Sequence, residues 1–105
     1  MRRMNFDVKC VRDYLLSHNE VYTVRGYKYD EHELALVYDI GMCDRKFISK
    51  IEKKEDLIPY VDASGFVSIG GWWNRIIDYC GNREKFLYHV KVIHSTEPNR
   101  GCEKV

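Results

Sequence analysis

The chain has 105 residues, a formal net charge of +1, and is 45% hydrophobic and 31% charged. That length suits one domain burying about 60 to 70% of its unfolded surface, so neither disulfides nor metals are needed for stability, and no run is long enough to span a bilayer. The charge balance by itself demands no nucleic acid partner, and the start, MRRMNFDVK, has charges but no apolar signal core, which places the protein in the cytoplasm.

In chain order, Asn5 to Val8 reads as a short strand and Lys9 to Ser17 as a short helix with Val8, Val11 and Leu15 on one side. Glu20 to Tyr29 is rich in β-branched and aromatic residues and predicts a strand. Alternation then puts Tyr22, Val24 and Gly26 on one face and Val21, Thr23, Arg25 and Tyr27 on the other. Asp30 to Glu33 suits a loop, Leu34 to Ile40 a third strand, Gly41 to Asp44 a turn, and Arg45 to Ile51 a fourth strand. Glu55 to Tyr60 predicts a helical turn interrupted by Pro59.

The densest signal is Ser64 to Ile93. Ile69, Trp72, Trp73, Ile76, Ile77 and Cys80 form an apolar stripe at helical spacing, while Asn74, Arg75 and Asp78 take the wet face. Ser68 suits the N-cap, Val67 and Trp72 occupy the positions of a hydrophobic staple, and Gly81 supplies the stop. Gly70 and Gly71 in the first turn suggest the close approach of another backbone or a ligand. Phe86 to Ile93 alternates with period two and predicts the closing strand. The domain is expected to span residues 1 to 93, with 94 to 105 a polar C-terminal tail. Many strands with two short helices and no β–α alternation predict a small mixed barrel or an α+β sheet.

Cys10, Cys43, Cys80 and Cys102 are widely spaced, with no metal-ligand pattern, so free thiols are expected and neither a metal nor another cofactor. Charges are blocky. Residues 1 to 28 carry six Lys/Arg against three Asp/Glu, residues 29 to 44 none against five, and residues 45 to 54 five against one. Whether Arg25 and Lys28 meet Arg45 and Lys46 on one face depends on the fold.

Three places resemble the ASCH domains of the PUA-like superfamily. Thr23-Val24-Arg25 at the end of the second strand is similar to the family's T-x-R stretch, Ser64-Gly65-Phe66 precedes the second helix as an acid, Gly and Phe do there, and Gly81 with Leu87 to Ile93 resembles the ending. The resemblance implies an α+β fold, a small PUA-like (ASCH-type) mixed β-barrel of about five or six strands with two short helices. It also implies a pocket between the T-x-R strand and the loop before the second helix, used for RNA or modified nucleosides. On this basis the expected binding residues are Arg25, Tyr27, Lys28, Arg45, Lys46, Ser64 and Gly65, with RNA or a nucleotide-like ligand as partner and no catalysis. Arginine suits a phosphate or a base edge through its planar fork of donors, and exposed tyrosines suit unpaired bases.

The alternative is a hydrolase on acetylated cytidine or RNA, with Thr23 as nucleophile and Asp62 or Glu20 as the acid/base. This chain has Glu20 and Ser64 where relatives carry a lysine and a glutamate, and a threonine hydroxyl needs a neighbouring base or cation to react. A further alternative, a protein-interaction module, predicts an exposed Trp73 or a tyrosine patch.

Overall fold

The computed structural model, which describes residues 2–37 and 40–95, contains one mixed five-stranded sheet and three helices. The strands are β1 (Arg2–Met4), β2 (Glu20–Arg25), β3 (His32–Val37), β4 (Gly41–Ile51) and β5 (Lys85–Ser95). Helix α1 is Lys9–His18, α2 is Ile69–Cys80, and between β4 and α2 lies a run of 3-10 turns, Lys54–Ala63. The strand order is β1-β3-β4-β5-β2, with β1 parallel to β3 and the other pairs antiparallel. β1 and β2 are therefore the two edges.

Alternation along the strands separates two cores. Val21, Cys43 and Val90 face α1 and pack with its Val11 and Leu15. Val24, Ile51 and Leu87 take the opposite face, against Leu57 of the 3-10 run and Trp72, Ile76 and Cys80 of α2. Phe66 packs against both cores, so the loop between the 3-10 run and α2 joins them. The register of β4 against β5 shifts between Met42 and Cys43 and again between Phe47 and Ser49. Such irregularities bend a strand and increase its twist, and the sheet curls into a half-barrel.

Helix α2 forms as its pattern dictates. Ser68 Oγ accepts the Gly71 N–H at 3.1 Å, and the Gly81 N–H returns to Ile77 O at 2.8 Å with Gly81 at φ +59°. Its expected staple does not form, because Val67 is fully exposed. Nor does anything crowd Gly70, where an added Cβ would meet no atom within 4 Å. The tight approach falls at Gly65 instead. This residue has φ +90°, and a Cβ there would stand 2.7 Å from Cys10 O and 2.9 Å from Val11 Cα, so the loop is pressed onto the backbone of α1.

Several boundaries move. The first strand lies at Arg2–Met4 rather than Asn5 to Val8, because it pairs with Ala35 to Val37 and the chain must then turn into α1. β2 ends at Arg25 rather than Tyr29, where its pairing with Phe86 stops. Gly41 to Asp44 is strand, not turn: Ile40 N bonds Val37 O at 3.1 Å, so the reversal is complete before Gly41. The single turn expected around Pro59 extends to ten residues and makes a third helix, its start held by the Asp56 carboxylate, which accepts from the main-chain N–H groups of Glu52 and Lys53. Those bonds hold the Asp56 carboxyl below its usual range. Of the expected tail, His94 and Ser95 continue β5, and residues 96–105 lie outside the described residues.

Cys10, Cys43 and Cys80 are free thiols. Among the described residues no helix is long and apolar enough to cross a membrane.

Candidate functional site

Because β2 is an edge strand, side chains from both of its faces reach one cleft along its free side. Thr23 and Arg25 come from the face shared with α1 and Val24 from the other. Phe6 and Val11 close the cleft on the α1 side, and Phe66, Trp72 and Ile76 on the α2 side. The Phe66 and Trp72 rings stack at 6.2 Å with planes 15° apart and form a flat apolar wall. The enclosed volume is about 70 Å³. Such a space takes a small group or a few waters rather than a whole drug-sized ligand, for which sites of roughly 300 to 1,000 Å³ are usual.

Arg25 is the polar centre of this cleft. Its Nη2 donates to the Asn5 carbonyl oxygen at 3.0 Å, and its guanidinium carbon lies 4.9 Å from the centroid of the Phe6 ring. Nε is buried and has no hydrogen-bond partner among the described residues. The bond it does make goes to a carbonyl, not a carboxylate. Burial, reinforced by Arg45, lowers the guanidinium pKa against weak support from Tyr29, Tyr79 and Asp7. A partly desolvated cation that ends on a neutral acceptor attracts an anion, since a charge held away from water is stabilised by pairing.

A second and wider hollow, about 290 Å³, lies beyond Arg25 and is lined by Arg25, Gly26, Tyr27, Tyr29, Tyr79 and Arg83. Arg25 and Tyr79 belong to both spaces. Among the described residues Asp7 is the only carboxylate lining the first hollow, and none lines the second. Arg75 of α2 adds a further cation at the first.

The expected site residues divide. Thr23, Arg25 and Tyr27 come together at the two hollows. Arg45 does not join them. Its side chain is 1% exposed, paired with Glu33 across β3 and β4, and packed 4.0 Å from the Tyr29 ring and 5.6 Å from the Tyr88 ring. An arginine so enclosed has no access to an external phosphate. Lys46, one residue on, is exposed on the other face of β4. Lys28 lies over Phe47 at 4.5 Å and 3.7 Å from Glu31, away from both hollows. Ser64 braces a turn, its buried hydroxyl donating to Val61 O at 2.7 Å and accepting from Phe66 N at 3.1 Å. Gly65 contacts α1, as above.

The residues proposed for acid/base work also lie apart from Thr23. Asp62 is exposed on the 3-10 run and lines neither hollow. Glu20, at the far end of β2, holds His89 Nε2 at 2.8 Å. Among the described residues no group of three or more His, Cys, Asp or Glu is placed to hold a metal ion.

Arg75, Tyr79 and Arg83 are the lining residues that sequence reading missed. Arg75 and Tyr79 are one helical turn apart on α2; the pattern puts Arg75 on its wet face and leaves Tyr79 unplaced. The signal was available: two residues four apart, flanking the Trp72–Ile76 stripe, border whatever that stripe packs against.

Comparison with family models, with curated proteins and with solved structures gave no match. The functional reading therefore rests on geometry.

Proposed function

We propose that this protein binds single-stranded RNA or a nucleotide-like ligand, without chemistry of its own, in the cleft centred on Arg25, and that its half-barrel is of the PUA-like, ASCH type. The observation that carries the reading is the half-buried Arg25 guanidinium, whose buried Nε has no partner among the described residues and whose Nη2 ends on a main-chain carbonyl at the cleft walled by Phe66 and Trp72. A guanidinium held partly out of water in this way has donors left over for a phosphate or a base edge, and its planar fork suits either. The half-buried Phe66 ring, backed by the buried Trp72, offers an aromatic contact to an unpaired base, worth on the order of 1 to 3 kcal/mol.

The hydrolase reading has less support. Thr23 is at the cleft, but Asp62 and Glu20 are directed elsewhere, and the arrangement supplies no base of the kind an attacking hydroxyl needs. Trp73 is half-buried under Lys85, and the exposed Tyr27 and Tyr79 line a hollow rather than a flat patch, which favours a ligand over a protein surface.

The test is a tryptophan-fluorescence titration with short single-stranded oligoribonucleotides at low and moderate salt. Saturable quenching that weakens with salt is expected. Absence of binding at low salt, or binding indifferent to Arg25→Met, would overturn the proposal.

A further inference from the structure

We infer that the wider hollow beyond Arg25 is a phosphate subsite, so that the ligand is a nucleotide or a dinucleotide step and not a neutral nucleoside. The inference rests on the reading of the first cleft as the seat of a base. Size argues for it first: the narrow cleft, about 70 Å³, holds only part of a ligand, and the adjoining 290 Å³ brings the whole to the lower end of the usual range for ligand sites.

Charge argues for it next. Arg25 and Arg83 both line the hollow, and among the described residues no carboxylate does. Arg83 is held in place by its own bonds, Nε to Cys80 O at 3.2 Å and Nη2 to Tyr79 O at 2.8 Å. Those carbonyls end α2, where the helix dipole would repel an anion; Arg83 covers two of them and Lys85 Nζ covers Gly81 O at 3.0 Å. The remaining guanidinium donors of Arg83 have the fork geometry that phosphate oxygens accept. Gly26 also lines the hollow, and without a side chain it lets the Arg83 guanidinium and Cys80 Sγ lie close over its backbone. Tyr27 is 71% exposed at the rim, where it can cover a second base or a ribose.

The experiment compares binding of a nucleoside, its 5′-mononucleotide and the corresponding dinucleotide to wild type, Arg83→Ala, Arg83→Lys and Gly26→Ala. A parallel NMR titration uses inorganic phosphate alone. Wild type is expected to prefer the mononucleotide over the nucleoside by roughly tenfold or more, the size of a charge-assisted bond. A dinucleotide that gains further identifies a diester as the preferred form, and one that gains nothing identifies a terminal monoester. Arg83→Ala is expected to bring the nucleotide-to-nucleoside ratio close to one, with Arg83→Lys intermediate because it keeps charge but loses the fork. In Gly26→Ala the added Cβ would stand 3.4 Å from Cys80 Sγ and 3.7 Å from Cζ and Nε of Arg83, ordinary contact distances, so the variant folds and is expected to lower the same ratio by restricting how Arg83 turns toward a phosphate. Inorganic phosphate should shift the Gly26 and Arg83 amide signals.

A nucleoside that binds wild type as well as its nucleotide overturns the subsite and leaves the base cleft standing. Phosphate shifts at Gly26 and Arg83 without any nucleoside or RNA binding support the subsite and overturn the base cleft. A ratio unchanged in Arg83→Ala also overturns the subsite.

Discussion

Arg25 donates to the main-chain carbonyl of Asn5 across 3.0 Å, and this bond ties the last residue of one sheet edge to the first residue past the other. β1 and β2 never pair, yet the curl of the sheet brings their ends together. Among the described residues the only direct polar link from Arg25 across that seam is one guanidinium nitrogen on the carbonyl of the exposed Asn5.

Such a link is weak, and the partly desolvated charge that makes it adds little to the fold. Arg25→Met keeps the aliphatic stem against Phe6, removes the charge and leaves Asn5 O to water. Its stability is expected to equal or exceed that of wild type, by up to about 2 kcal/mol, because replacing a poorly compensated, partly desolvated charge by an apolar group of similar volume is often neutral or stabilising. Urea unfolding measures this. A loss of more than about 2 kcal/mol would mean that Arg25 serves the fold rather than a ligand.

Arg45 presents the opposite case. It lies on the same face shared with α1 and its Nε is likewise without a partner among the described residues, but unlike Arg25 it is fully buried, with Glu33 as a partner and Tyr29 and Tyr88 around it. Glu33→Gln leaves that cation without a counter-charge at 1% exposure and is expected to destabilise the protein by roughly 3 kcal/mol. Chemical denaturation of the variant, with its binding measured alongside, checks that the loss falls on stability.

Gly65 allows a prediction from sterics alone. At φ +90°, with Cys10 O only 2.7 Å from a built Cβ, Gly65→Ala must strain its own backbone and push the loop off α1. A loss of at least about 2 kcal/mol is expected, with the Phe66–Trp72 wall displaced. Thermal unfolding and tryptophan emission report the two effects separately.

Above neutral pH the thiol of Cys43 governs one component of stability. Burial pushes its pKa from 9.0 up to about 11, so between those values the unfolded chain releases a proton that the folded chain keeps. Stability falls as pH rises through that window and levels off above it, with Cys80 and Tyr88, whose pKa values burial also raises, acting in the same direction. The Cys43 share is on the order of 2 kcal/mol. Cys43→Ala is expected to lose less stability than wild type between pH 8 and pH 11 when unfolding is compared at each.

Much of the fold is legible in the sequence, and the limits have physical causes. Helix α2 is readable because its cap, its stop and its stripe are all local. Its depth is not, since whether Val67 staples Trp72 depends on Phe66 turning inward to bridge two cores. β2 and β5 are readable from alternation, but the end of β2 at Arg25 is set by where Phe86 leaves it. At the site, the face shared by Thr23 and Arg25 follows from period two alone. The fate of Arg45 does not, because Glu33 is remote in sequence and becomes its neighbour only through the register of β3 on β4. Arg83 gives no sequence signal at all: it lies in a turn, and only the end of α2 against Gly26 brings it beside Arg25.

The most direct measurement is calorimetric titration of a short single-stranded oligoribonucleotide into wild type and Arg25→Met, at low and at moderate salt. Binding by wild type that weakens as salt rises, and its loss by a factor of at least about ten in a folded Arg25→Met, is the result expected for an anion held by that guanidinium. Equal affinity in the two proteins, or no binding by either, would contradict it.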